Sequence, residues 1–400
     1  MIGSPLRVVS TLDVPRPYTL IANRASIAAN AKSDGVLMGS TYRFKMFSTK
    51  QGAANGIRLV YANVFLNATG EEDGNTNNIS VKASIEVGSV YRRAFFRGAR
   101  TVSMEPGGHA ISDPIGISIP ANTGFWVRTY VSVGIAGDKW ANSFAGDLTN
   151  LDESRTASLD DQADGTGILN NDTATTGMFT PTAVLGLVET ATPYSVAIVG
   201  DSIGYGQNDT AEAPTWDRGW APRVVNNKVG SVRLTRASLQ LGTGWVDNAS
   251  RRMALLAELR PTHCLCELGV NDITTANDFN TVQSRLLSVW GDLAALGMKV
   301  YGVTFTPNAT STDSWATLGN QTAHASTAVR ASLNDWVRSV PSPLSGYLEI
   351  ADVVESARGS GKWKVDGTAN KWTADGGHPS QYAHQQVAAA LSLNQLGIPV

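Results

Sequence analysis

Val196-Ala197-Ile198-Val199-Gly200-Asp201-Ser202-Ile203-Gly204 is the stretch that decides the fold. Four apolar residues run without interruption into a Gly-Asp-Ser turn, with further glycines at Gly204 and Gly206. Such a run predicts a strand buried on both faces, as in a parallel sheet. Open α/β sheets bind their ligands at the carboxyl ends of the strands. Ser202 stands at such an end, beside glycines that let a substrate approach, and is a candidate nucleophile. Gly, Asp and Ser are also ordinary turn residues, so the rest of the chain has to carry the assignment.

From Tyr194 onward the pattern alternates strands with helices, which implies a parallel sheet. Further strands are predicted at 232–239, 263–268, 298–305 and 347–351. Helices are expected at 251–259, from the Asp278 cap to Gly297, at 327–337, and from Pro379 to just before Gly397. Phe279, Val282, Leu286, Val289, Leu293 and Leu296 keep the three-to-four spacing of a packed helix face. The first 190 residues read differently. Thr41 to Phe47 alternates polar with apolar, as a half-buried strand does. Similar segments follow at 57–66, 79–87, 91–96, 115–119, 124–133 and 182–189. Turns such as Asn67-Ala68-Thr69-Gly70 and Glu105-Pro106-Gly107-Gly108 separate them. Short strands at this spacing predict a jelly-roll-like β-sandwich over 1–192, an α/β unit over 193–400, and a linker at Thr190-Ala191-Thr192-Pro193. The polar stretch from about 135 to 180 is expected to be a functional or mobile loop.

Four hundred residues suit two domains. A net charge of −2 gives no reason to expect nucleic acid or an anionic membrane as partner. Charged residues make up 16% of the chain, against about 25% in typical domains, and 39 glycines suit a chain rich in strands and turns. No apolar run is long enough to span a membrane. Met1 to Arg7 lacks the basic start and apolar core of a signal peptide, so the expectation is that either the protein is not exported by that route or its leader lies outside this sequence. An extracellular or virion-associated protein is favoured over a cytoplasmic one. Cys264 and Cys266 share one face of a predicted strand, too close for an unstrained bridge, and read as small buried hydrophobes.

Acyl transfer by serine needs a base, an acid to orient it, and donors for the oxyanion. Each is available after a predicted strand. In Asp375-Gly376-Gly377-His378-Pro379, a carboxylate three residues before an imidazole can fold back across two glycines to meet it. A polar turn ahead of a helix is the plainer reading of the same residues. Asn271, in Leu268-Gly269-Val270-Asn271-Asp272, can donate its amide to an oxyanion or serve as a helix cap. After the second strand, Gln240-Leu241-Gly242-Thr243-Gly244-Trp245 offers a backbone N–H at Gly242, with Gly244 as competitor. The other histidines, His109, His263, His324 and His384, have no metal-ligand spacing. Asp161, Asp164, Asn170, Asn171 and Asp172 could supply oxygen ligands to calcium but form no recognisable loop motif.

Taken in order, Gly200-Asp201-Ser202, Gly242, Gly269-Val270-Asn271-Asp272 and Asp375-Gly376-Gly377-His378 resemble the four blocks of the SGNH hydrolases, also called the GDSL esterase family. The resemblance covers 194–400 and implies a flavodoxin-like three-layer fold with Ser-His-Asp chemistry and no cofactor or metal. It implies Ser202 as nucleophile, His378 as base and Asp375 as its orienting acid. The Ser202 and Gly242 amides and the Asn271 side chain would form the oxyanion hole. The second block departs from the family, whose glycine segment often follows an Asn; here the chain reads Arg236-Ala237-Ser238-Leu239.

Trp216, Trp220, Trp245, Trp315, Trp363 and Trp372 all fall in predicted loops, and an aromatic-rimmed cleft suited to sugar rings is expected, with Trp245 and Trp372 as candidate substrate contacts. A β-sandwich joined to an SGNH domain also resembles some carbohydrate esterases. The leading expectation is an esterase that removes acetyl groups from a carbohydrate or polysaccharide, its partner being a small-molecule ester or an acetylated glycan substrate. The rivals are a lipolytic or general short-chain carboxylesterase and a glycan-binding tail protein without catalysis.

Overall fold

The computed structural model describes residues 18–399, except 28–30, 52–54, 75, 144–147, 157–158, 170–176, 189–192, 214–215 and 276–277. The N-terminal heptapeptide, most of the expected linker, and Asn170, Asn171 and Asp172 lie outside the described residues.

The decisive stretch forms the strand Ser195–Gly200, buried along its whole length. It pairs in parallel with Gly230–Thr235 on one side and His263–Glu267 on the other. Lys299–Val303 and Gly346–Leu348 extend the sheet beyond His263–Glu267, again in parallel. Numbered along the chain, the order is second, first, third, fourth, fifth, the flavodoxin-like arrangement. The first strand is therefore flanked on both sides, and the connections leaving the first three strands meet at one sheet edge.

The helices follow the periodicity. Phe279–Ala295 starts on Asp278, whose carboxylate accepts the Thr281 N–H at 2.9 Å, and it buries Val282, Leu286, Val289 and Leu293. The last helix runs over Gln381–Ala390, shorter than expected, and is capped by Ser380 rather than entered at Pro379. The Ser380 hydroxyl can accept the Ala383 N–H, a service proline cannot give. The fifth strand stops at Leu348 because the Thr304 hydroxyl accepts the Ile350 and Ala351 N–H groups and turns the chain into the helix Ala351–Val354.

The N-terminal part is built of antiparallel sheets. One contains Tyr18–Leu20, Ala183–Leu187, Asn55–Ala62 and His109–Ile111. The larger contains Val102–Met104, Ile79–Val87, Gly124–Ser132, Gly39–Ser48 and Ser154–Arg155, with Ala22–Asn23 and Val90–Arg93 attached. Residues 115–119 form isolated bridges, such as that between Ile115 and Ile57, rather than a strand. Period-two alternation on Asn55–Ala62 explains how the parts join. Ile57, Leu59 and Tyr61 face the interior between the two antiparallel sheets. Val60 and Ala62 face the other way and share a core with Val196, Val199, Leu234 and Leu255. The small sheet is a wall common to both cores.

The Gly39–Ser48 strand is buried on both faces rather than one. The polar stretch expected as a loop covers its second face: Ser154–Arg155 pairs with it, and Glu153 meets the Arg24 guanidinium there. Buried Arg43 binds Glu86 through two bonds of 2.9 and 2.7 Å. Charged side chains thus occupy the outer positions as satisfied pairs, which the alternation alone presents as solvent-facing.

The second parallel strand would be an open edge, but Ala25–Ile27 runs beside it, with Ile27 N–H donating to Arg233 O and Arg233 N–H to Ala25 O. At Gly230 the two chains approach so closely that a Cβ would stand 1.9 Å from the Leu20 carbonyl oxygen. Gly230→Ala is expected to cost about 1–3 kcal/mol through this backbone clash, read as a lower urea midpoint. An unchanged midpoint would contradict the tight apposition of the two parts.

Candidate active site

Ser202 opens the short helix Ser202–Tyr205 directly after the first strand. Asp201 caps it, its Oδ1 accepting the Ile203 N–H at 3.0 Å. Beneath the turn lies Glu267, the last residue of the third strand, whose Oε2 accepts the N–H of Gly204 at 2.8 Å and of Asp201 at 3.3 Å. A Cβ at Gly200 or Gly204 would approach the same oxygen to 2.8 Å, so both glycines make room for it. Burial pushes Asp201 up to about 7 and Glu267 well above the carboxylate range, their mutual repulsion adding to the second. Burial thus disfavours charge on both acids, and Asp201 Oδ2 is buried with no donor of its own.

His378 reaches Ser202 from the loop before the last helix. Its Nε2 lies 2.8 Å from Ser202 Oγ and its Nδ1 lies 2.8 Å from Asp375 Oδ2. Asp375 Oδ1 accepts the backbone N–H of Gly377 and of His378, so the carboxylate folds back over its own loop. Burial alone would raise the Asp375 carboxyl. Hydrogen bonds from His378 and from the Asn208 amide, 2.8 Å from Oδ2, outweigh it and hold the group well below the usual carboxylate range. Buried Trp363 donates its indole N–H to Gly376 O at 2.8 Å, and Thr373 Oγ accepts the Gly376 N–H, fixing the loop from below.

Gly242 begins a π-helical turn, Gly242–Val246, after the second strand. Like Ser202, it occupies a first helical position, where an N–H has no carbonyl of its own helix to reach. The Gly244 N–H is taken by Gln240 O at 3.2 Å, which favours Gly242 over Gly244 as a donor to bound substrate. Asn271 lies on the helix Val270–Thr274, which leaves the third strand through Gly269 at φ 131°. One amide hydrogen of Asn271 goes to Leu239 O at 3.0 Å, leaving the other. Buried Asp272 accepts the Leu241 N–H at 2.7 Å and pairs with Arg285 at 2.8 Å, tying the two segments together. The sheet edge thus brings together Ser202, His378 and Asp375, with Gly242 and Asn271 on the adjoining segments.

Residues 198–386 match the GDSL-like lipase/acylhydrolase family. They form a GDSL-like hydrolase domain. The protein is an ester-bond hydrolase. No curated protein matches the chain. Among solved structures, the aryl esterase of M. smegmatis is similar at 16% identity over 52% of this chain and 100% of that one, with a TM-score of 0.38. A carbohydrate acetylesterase from Sinorhizobium meliloti is similar at 15% identity over 49% and 95%, TM-score 0.34. A GDSL-like lipase from Bacteroides thetaiotaomicron is similar at 14% identity over 49% and 84%, TM-score 0.34.

Within the GDSL domain the tryptophans depart from expectation. Trp245 is 1% exposed, its ring packed in the core with the Arg252 guanidinium 4.8 Å from its centre, so it cannot stack on substrate. Trp220 and Trp363 are also buried. Trp372, edge-on to Tyr382, is half-buried, as are Trp216 and Trp315. Apolar area outweighs one indole N–H, and loops that fold back over a sheet can bury it. The calcium expectation also changes, because Asp161 pairs with Lys82 and Asp164 with Arg93 and Arg100. Among the described residues no cluster of His, Cys, Asp and Glu could hold a metal, and no helix is long and apolar enough to cross a membrane. Cys264 and Cys266 are buried free thiols. Glu267, Arg285 and Asn208 are not singled out by the sequence, and Asp272 enters there only as the last residue of the Gly269-Val270-Asn271-Asp272 block. Glu267 left a signal, a charge ending an otherwise apolar strand.

The acid pair makes stability depend on pH. A carboxyl whose folded pKa lies above its unfolded value stabilises fully below pH 4, and that contribution is lost as pH rises through 7. Glu267→Gln removes one acid and retains an acceptor for both N–H groups. Its fall in Tm between pH 5 and pH 8 is expected to be shallower than wild type by about 2 °C or more. Parallel curves would contradict a Glu267 carboxyl raised by burial.

Proposed function

We propose that Ser202, His378 and Asp375 carry out ester hydrolysis through an acyl-enzyme, with short acyl esters of a carbohydrate as the substrate class. The observation that carries the mechanism is the Ser202–His378–Asp375 chain, with both links at 2.8 Å. His378 Nε2 takes the proton as Ser202 Oγ attacks the acyl carbon. The Ser202 and Gly242 N–H groups and the Asn271 amide stabilise the oxyanion, each such donor being worth about 100- to 1000-fold in rate. Collapse breaks the ester C–O bond, and the imidazolium returns its proton to the leaving alcohol. Water, deprotonated by His378, then attacks the acyl-enzyme and releases the acid and Ser202. Asp375, ionised across the working range, holds the imidazole tautomer and stabilises the imidazolium.

The carbohydrate reading draws on a polar and open rim. The Asp375 side chain is 41% exposed and that of His378 23%. Trp372 and Trp315 border the same loop, with Lys364 above the Trp372 ring. A sugar offers such a rim both a face to stack and hydroxyls to bind. Nitrophenyl esters from acetate to octanoate, with acetylated xylan alongside, test this reading in wild type and Ser202→Ala. Acetyl release from the polymer, lost to background in Ser202→Ala, is expected. Preference for octanoate would favour a lipolytic enzyme instead, and hydrolysis retained by Ser202→Ala would refute the nucleophile.

A further inference from the structure

The antiparallel part does more than adjoin the GDSL domain. A hairpin of Val64–Leu66 and Glu72–Gly74 reaches across to the segment that follows the second parallel strand. The helix Ser250–Leu259 begins after Ala249, which has no side chain with which to cap it. Glu72 caps it from the other part of the chain: its carboxylate accepts the Arg251 and Arg252 N–H groups, each at 2.8 Å. The same carboxylate takes the Arg252 Nε–H at 3.0 Å.

Fully buried Arg252 then ties both sides together. Its Nη2 donates to Gly70 O at 3.1 Å on the hairpin, and to Asn248 O at 2.9 Å and Gly244 O on the turn that starts at Gly242. Backbone contact reinforces the tie. A Cβ at Gly244 would stand 2.7 Å from Thr69 O, and one at Gly70 would strike the Leu239 side chain. Leu239 is the residue whose carbonyl receives the Asn271 amide. The hairpin therefore presses on both the Gly242 turn and the anchor of Asn271.

We propose that Glu72 and Arg252 are positioning residues through which the hairpin sets the oxyanion donors of the GDSL domain, making the antiparallel part a component of the catalytic apparatus. This rests on the reading of Gly242 and Asn271 given above. Arg matters here as a fork: one planar group serves a carboxylate and three carbonyls, where Lys offers a single ammonium. A displacement of about 1 Å in such donors can cost about 100-fold in rate.

The test uses the full chain, with Arg252→Lys and Glu72→Gln assayed on nitrophenyl acetate below their melting temperatures. In each, kcat is expected to fall about 10- to 100-fold with KM within about twofold. Inactivation by a nitrophenyl phosphonate, whose phosphoryl oxygen uses the same donors, should slow by a similar factor. A purely structural tie would lower Tm and leave both rates per folded enzyme unchanged. If Arg252→Lys does not fold, Glu72→Gln, which keeps an acceptor at Oε1, decides alone. Rates within twofold of wild type in a folded variant overturn the proposal. Ser202→Ala in the same assay separates the two readings: turnover that survives it refutes the mechanism itself, whereas Ser202-dependent turnover indifferent to both variants refutes only the positioning role.

Discussion

The hydrogen bond between Ser202 Oγ and His378 Nε2 joins residues 176 positions apart, and the rest of the GDSL domain is arranged around keeping it at 2.8 Å. On one side, a strand buried on both faces and flanked by two parallel neighbours fixes the backbone of the nucleophile turn. Glu267 then holds that turn from below through two backbone N–H groups. On the other side, Trp363 and Thr373 pin the loop that carries His378. The two side chains meet within hydrogen-bond distance, the geometry that the proposed activation of Ser202 requires.

Burying ionisable groups next to a reacting centre has a physical logic. Burial raises both Asp201 and Glu267, which disfavours negative charge beneath the serine. Asp375 lies at the other extreme, ionised by the hydrogen bonds it accepts. His384, buried and lowered to about 4 chiefly by desolvation, stays neutral while its Nε2 bonds Gln207 O and its Nδ1 accepts the Trp220 N–H. One histidine orders the scaffold, and the other faces the serine.

Much of this was legible in the sequence where local rules and burial agree. The first strand, the helix Phe279–Ala295 on its Asp278 cap and the strand Ile79–Val87 match their periodicity. The sequence sets Gly200-Asp201-Ser202 and Asp375-Gly376-Gly377-His378 in an order that the fold brings together, with Ser202 Oγ 2.8 Å from His378 Nε2. What stayed hidden depends on partners distant in sequence. Nothing local distinguishes Arg252 as a buried tie from a surface arginine, since Glu72 and Gly70 lie in another part of the chain. Trp245 read as a rim residue because a loop gives no period from which to infer its inward face. The polar stretch from about 135 to 180 reads as a functional or mobile loop because its acids find their arginines only once the larger sheet exists.

The most direct test of the central claim is chemical labelling rather than turnover. Full-length protein treated with a fluorophosphonate, then measured by intact mass and peptide mapping, reports which hydroxyl is activated. The account requires a single phosphonyl adduct per chain, on Ser202, whose formation is suppressed in His378→Ala. No adduct, or one on a different serine, would contradict the site as described.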